Sequence, residues 1–379
     1  MKKLWLFVLI CALLGAGCAF AEVAEPIEYA CMDYYYTLRE DGTAEITWYA
    51  GDVEKLEIPA ELDGNRVTSI GSRAFSDCTS LISVAIPDSV TEIGANSFWN
   101  CASLTNIRVS PNSPALAVID GVLFSKPDKR LVCYPDGLGK ASYEIPQGIR
   151  IIGDSAFYGC YSLESVTIPD SVTQIGLGAF DNCGVLTSIT IPDSVTEIGA
   201  AAFAECASLT SIVIPEGVTV IDESTFSDCY SLASITLPDS VTEIGGYAFC
   251  WCTDLASITI PDGVTKIDSY TFYTCDSLTS VVIPDGVTEI GSCAFFSCSD
   301  LTSVTIPGSV TEIGDEALST CESLTSLTIP SSVTQIGYGA FEYCDNLTLT
   351  VERDSYAAQY ARDNGIDYTY PDSLNWLNG

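Results

Sequence analysis

Apolar positions recur in this chain with a spacing that belongs neither to one helix nor to one strand. From Leu163 the pattern runs Leu163, Val166, Ile168, then Val172 and Ile175, then Ala179, Phe180 and Cys183, and it returns 23 residues later. Leu163, Val166 and Ile168 alternate as a strand does, and Pro169, which cannot donate to a sheet ladder, closes it. Val172 and Ile175 point inward from a second extended turn, which Gly176 ends. Ala179, Phe180 and Cys183 then form a short helical or irregular return leg. One such unit cannot bury its own apolar face, so stacking is implied. Eleven units at a strand spacing of roughly 4.8 Å give a rod on the order of 50 Å long, with a core made of columns of like residues.

The period is strict. Cys160, Cys183, Cys206, Cys229, Cys252, Cys275, Cys298, Cys321 and Cys344 follow one another in steps of 23, and Cys78 and Cys101 stand the same distance apart upstream. A repeat of 20 to 29 residues with apolar groups at set offsets marks a leucine-rich repeat solenoid. Each 23-residue unit is expected to supply a β-strand plus a short helix or turn. The recurring I-P-x-x-V-T-x-I-G-x-x-A-F-x-x-C-x-S-L-T-S resembles the BspA-type leucine-rich repeat family of bacterial surfaces over roughly residues 36 to 370. Departures are local, such as Leu318 for the Phe and Gly308 for the Asp. The resemblance implies a secreted or surface-displayed protein with an adhesion or host-protein-binding role.

Flanking segments frame the array. Residues 1–21 carry Lys2, Lys3, an apolar run and Ala19-Phe20-Ala21, as a secretory signal peptide does, so the mature chain is expected to begin near Glu22. Lipidation at Cys18 is disfavoured, because no leucine stands three places before it. No later run is apolar enough to suggest a transmembrane segment. Residues 22–56 read as an N-terminal β-hairpin cap turning at Asp41-Gly42, with Tyr36 and Trp48 in its core. Residues 57–352 make the solenoid and 353–379 a helix-strand C-terminal cap and tail, with Ser355 as N-cap and Gly365 as stop. Tyr356, Ala357, Tyr360 and Ala361 share one face of that helix. Between Cys101 and Cys160 one unit is lengthened by 36 residues, placing a hairpin at about 109–143 that is expected to project from the rod.

Charge narrows the partner. Without its leader the chain keeps 13 basic and 50 acidic groups, a net charge of −37, so nucleic acid is a poor partner and a monomeric, well-solvated rod is expected. Lys126, Lys129 and Arg130 in the hairpin form the only tight basic cluster, and they are one candidate contact site for a protein or glycan. A second is aromatic: Tyr247, Trp251, Tyr270, Tyr273 and Phe296 flank the buried Phe position in three successive units. These rings either form an exposed patch or pack sideways on one another. The strand face offers columns of Ser and Thr, such as Ser188 and Thr190, that lack anchoring side chains. Asp170, Asp193, Glu216, Asp239, Asp262 and Asp285 make an acidic ladder, but no D-x-D loop gathers several oxygens in one unit. They read as solvated turn carboxylates, and no metal or cofactor is expected.

The cysteine column points into the core, where a free thiol behaves as a small hydrophobe, so these residues are expected to be unpaired. Cys31, Cys133, Cys250 and Cys293 fall outside the column and are the better candidates for oxidation. The chain has no histidine. That removes imidazole-based triads, Cys-His dyads and His-metal sites, and no phosphate loop or G-x-S-x-G turn is present. The reading is a non-enzymatic, exported binding or adhesion solenoid, with a structural surface-layer or spacer role as its alternative.

Overall fold

A computed structural model describes residues 27–371. The leader, its cleavage site, Cys18 and the tail from Asp372 lie outside the described residues. The solenoid has about 14 turns. In most units the first strand, for example Ser165–Thr167, pairs in parallel with the next, so that Ser165, Val166 and Thr167 stand opposite Ser188, Ile189 and Thr190. This column is interrupted after Ser188–Thr190, at residues 257–259 and after Ser303–Thr305. The second strand does the same, Gln174 and Ile175 opposite Glu197 and Ile198. Register equals the sequence period, and each row therefore lays a residue on its own kind. The rings of Phe157, Phe180, Phe203, Phe226, Phe249, Phe272 and Phe295 form one buried column, with successive centroids 4.9–5.7 Å apart and planes within 11° of parallel.

The return leg is not helical. Two of its residues per unit have left-handed backbone, as at Ala201 (φ 53°) and Glu205 (φ 55°). This alternation turns every second N–H along the rod axis. Ala201, Phe203 and Glu205 accordingly donate to the carbonyls of Glu223, Thr225 and Ser227 at 2.9, 2.9 and 2.8 Å. A helix would spend those groups on itself; here they tie each leg to the next as a third ladder. The one α-helix among the described residues is Tyr356–Asn364.

Glycine after the second strand has a steric reason. A Cβ at Gly199 would lie 2.7 Å from the backbone nitrogen of Leu177, and at Gly245 2.7 Å from that of Glu223. Two units carry aspartate there, Asp222 and Asp268. The second-strand sheet is interrupted at those two units: Val220–Ile221 does not pair with Glu197–Ile198, nor Lys266–Ile267 with Glu243–Ile244.

The column thiols are free, with no disulfide among the described residues, and all but the half-buried Cys78 are buried. Cys101 and those from Cys183 to Cys344 bridge two turns by donating to a main-chain carbonyl 26 residues earlier: for example Cys183 to Phe157, Cys206 to Phe180 and Cys298 to Phe272, at 3.1, 3.2 and 3.2 Å. Of the four candidates for oxidation, Cys250 and Cys293 are buried as well, while Cys31 and Cys133 are half-buried.

At the N-terminus the strands Tyr34–Leu38 and Ala44–Tyr49 form the hairpin about Asp41-Gly42, and Ala44–Tyr49 pairs in parallel with Asn65–Ile70. Tyr36 is core, but Trp48 is 41% exposed, not core as expected. A bulge shifts the register so that Trp48 stands opposite Tyr35 on the outer face.

The inserted hairpin also departs from expectation, because it does not project. Its strands are Leu116–Ile119, Val122–Ser125 and Arg130–Cys133, and the last of these pairs in parallel with Ile151–Ile152 in the second-strand column. Tyr134 takes the Phe place and stacks on Phe157 at 5.2 Å. The middle strand is apolar on both faces: Leu123 packs into the core that runs from the N-terminal cap, and Val122 and Phe124 into the core that runs to the C-terminus. The hairpin is a partition between two cores.

The rod ends in the strand Thr348–Val351, the helix, and the strand Asp367–Thr369, which pairs in parallel with Thr348–Val351. Ser355 accepts from the Ala358 N–H at 3.1 Å, and Gly365 stops the helix at φ 67°. The helix buries Ala357, Ala358 and Ala361 while Tyr356 turns outward.

Candidate binding surface on the return legs

The left-handed positions of the return leg form two columns, and most units fill them with residues that are small or tolerant of positive φ. Examples are Gly178, Ser224, Asn182 and Asp228. Tyr247 (φ 58°), Tyr270 (φ 61°) and Trp251 (φ 60°) break this habit. Left-handed backbone costs an L-residue roughly 1–2 kcal/mol, and a bulky ring has no local hydrogen bond to offset it. What these positions acquire is a contiguous aromatic surface. Tyr247 stacks on Tyr270 at 4.6 Å and 4°, and Tyr273 on Phe296 at 4.9 Å and 6°. Tyr270 leans on Tyr273 at 5.6 Å, and Trp251 meets Tyr273 edge-on at 6.0 Å.

Both sequence readings of this cluster hold in part. The ring faces are largely taken by neighbouring rings, yet Tyr247 and Trp251 remain 38% and 41% exposed. Tyr270, Tyr273 and Phe296 are half-buried beneath them. The rings themselves are uncharged: the neighbouring Cys293 thiol holds the Tyr270 phenol up at about 12, and burial raises Tyr273, with the Glu316 carboxylate at the edge, 4.0 Å from the Cys293 thiol. Burial also pushes the Cys250 thiol up to about 12. A cluster of neutral rings thus interrupts a strongly acidic rod.

The basic triplet is less free than its sequence suggests. The Lys126 ammonium donates to the Ser113 carbonyl at 2.6 Å. Arg130 lies 3.1 Å from the Asp128 carboxylate, a charge contact whose N–H is not directed at the oxygen. Only Lys129 extends into solvent without a salt bridge or hydrogen bond among the described residues. Beside the hairpin runs a groove of about 420 Å³ lined by Glu45, Glu92, Leu116, Asp128 and Arg130, so acids face the base. Five rows separate the hairpin from Tyr247, about 24 Å along the rod at a strand spacing of ~4.8 Å, and the two candidates form separate sites.

Neither reading had picked out Tyr343, which occupies the same left-handed column as Trp251 at φ 61° and is 66% exposed. Its place was recoverable from the period, being four units after Trp251. Among the described residues, no group of three or more acids or thiols is arranged to hold a metal ion. No helix among them is long and apolar enough to cross a membrane.

The family model for the BspA type leucine rich repeat region matches residues 47–127, 139–256 and 219–348 in six copies. That is well over half of the chain, and the protein belongs to this family. Among solved structures, a leucine rich cell surface protein from Faecalibacterium prausnitzii is 28% identical, covering 93% of this chain and 97% of its own, with a TM-score of 0.44. A leucine-rich repeat protein from Bacteroides ovatus is 26% identical over 90% of this chain and 99% of its own, TM-score 0.37. The Treponema pallidum leucine rich repeat protein is 29% identical over 60% of this chain and 91% of its own, TM-score 0.34. No curated relative matches the chain.

Proposed function

We propose that this protein is an exported, non-enzymatic binding module that holds a protein or glycan at the cell surface or in the surrounding medium. The contact is the aromatic return-leg surface of Tyr247, Trp251, Tyr270, Tyr273 and Phe296. The observation that carries this reading is backbone strain: three bulky rings sit at positive φ in adjoining units, in columns whose only other ring among the described residues is Tyr343. Strain of this kind persists where the surrounding fold enforces it, and it concentrates at ligand contacts. Trp and Tyr are also the side chains that anchor interfaces.

Immobilised protein probed with matrix proteins, glycans and bacterial surface polymers tests the reading. A ligand retained by the native chain is expected to be lost from Trp251→Ala with Tyr247→Ala. Retention by that double variant, with loss from a Lys126, Lys129 and Arg130 triple serine variant, would move the contact to the hairpin.

A further inference from the structure

Each return leg from Ser155–Gly159 to Glu316–Thr320 hands three backbone N–H groups forward along the rod, as does the leg Arg73–Asp77. Glu316, Leu318 and Thr320 donate to the carbonyls of Tyr338, Ala340 and Glu342 at 2.8, 2.8 and 2.7 Å. The corresponding groups one unit later are those of Gly339, Phe341 and Tyr343, and none has an acceptor among the described residues. No further leg stands beyond them. The helix Tyr356–Asn364 closes the rod there instead, and its carbonyls serve its own turns. Between leg and helix lies a cleft of about 470 Å³, lined by all three residues and by Tyr338, Tyr360 and Ile366.

The neighbouring edge is treated differently. At the end of the first-strand column, Asp367–Thr369 pairs with Thr348–Val351 and continues that ladder by one row. The chain therefore completes one ladder and leaves the adjacent one a row short, with its donors facing a cavity. Unpaired backbone edges of this kind template the pairing of another extended chain.

The walls define that chain's chemistry. Tyr338 and Tyr343 flank the donors and are 76% and 66% exposed, and Tyr343 stands at φ 61°. Glu342, Asp345 and Asp367 also line the cleft, and no Lys or Arg does. Carbonyl acceptors are required by the edge, positive charge by the walls, and an extended shape by the row.

We infer that this cleft captures an extended polypeptide segment of a partner protein bearing Lys or Arg, whose carbonyls accept from Gly339, Phe341 and Tyr343 and complete the third ladder. The site stands apart from the aromatic surface, two rows from Phe296 and four from Trp251.

The test uses the full mature chain and short synthetic peptides of alternating Lys-Val, Ser-Val and Glu-Val. Backbone amide exchange is followed by NMR, and affinity by fluorescence polarisation. The Lys-Val peptide is expected to bind and to slow exchange at Gly339, Phe341 and Tyr343 at least ten-fold. Glu342→Gln with Asp345→Asn and Asp367→Asn is expected to weaken binding at least ten-fold. So is Tyr343→Asn, which keeps a residue tolerant of positive φ and removes the ring. Trp251→Ala is expected to leave binding unchanged, so this inference and the aromatic contact can fail separately. Binding without protection of the three amides would reduce the effect to general attraction by an acidic rod and overturn the inference. Absence of Lys-Val binding, or equal protection by the Ser-Val peptide, would overturn it too.

Discussion

The Cys206 thiol donates to the main-chain carbonyl of Phe180 at 3.2 Å, linking two turns of the solenoid from inside the core. Cysteine is small enough to sit beneath the phenylalanine column and still reach that carbonyl. Cys206→Ala keeps the apolar fit but removes the sulfur and its bond. A loss of about 1–3 kcal/mol is expected in denaturant titration, from a small cavity and an unmet carbonyl.

The same thiols set a pH limit. Burial raises Cys298 from an ordinary value of 9.0 to about 12, and raises Cys206, Cys252 and Cys275 as well. Between those values the unfolded chain releases protons that the folded chain retains. Stability is therefore complete below pH 9 and falls as pH rises from about 9 towards 12, by up to ~1.4 kcal/mol per pH unit for each such thiol. Urea midpoints measured across that range are expected to drop steeply. Alkylation of the native protein at pH 8 is expected to spare the buried thiols Cys206, Cys252, Cys275 and Cys298 and to label them after denaturation.

Asp222 and Asp268 mark the two interruptions of the second-strand sheet. Asp222→Gly removes the Cβ that keeps the units apart and is expected to restore the Glu197–Ile198 pairing with Val220–Ile221. A gain of about 1 kcal/mol in hydrogen bonding is set against ~0.5–1 kcal/mol of glycine entropy. The diagnostic is therefore slowed amide exchange at residue 222, with little change in melting. The reverse change, Gly199→Asp, meets the Leu177 nitrogen and is expected to lower the melting temperature clearly.

Deletions separate a repeat from a partition. Removing residues 192–214 takes out one period and is expected to leave a folded, shorter rod. Removing residues 116–133 opens both cores that meet at Leu123, and aggregation is expected. Leu123→Ala, a milder probe, should cost about 2–5 kcal/mol. An unchanged melting curve for Leu123→Ala would refute the two-core arrangement.

The 23-residue period made most of this fold legible, because stacking in register needs nothing beyond like residues at like offsets. Ser355 and Gly365 likewise announced the last helix. The return leg was harder. Its left-handed positions hold Gly178 and Asn182 in one unit but Tyr247 and Trp251 in another, and no local signal marks a tyrosine as left-handed. Val122, Leu123 and Phe124 did carry a sign of the partition, since an unbroken apolar run fits a strand buried on both faces better than a projecting hairpin. The freedom of Lys126 and Arg130 was overstated because Ser113 and Asp128 become their partners only on folding. Trp48 was misplaced by a bulge that alternation cannot reveal.

The central claim is that backbone strain at the return leg maintains a binding surface, and Trp251→Asn tests it most directly. Asparagine accepts φ near 60° and carries no ring. With the ligand found for the native chain, thermal unfolding and binding are measured on the same sample. The account predicts that the variant stays folded with a melting temperature equal to or above that of the native protein, while ligand affinity falls at least ten-fold. A variant that melts clearly lower and binds as tightly as the native chain would show that the tryptophan serves packing alone.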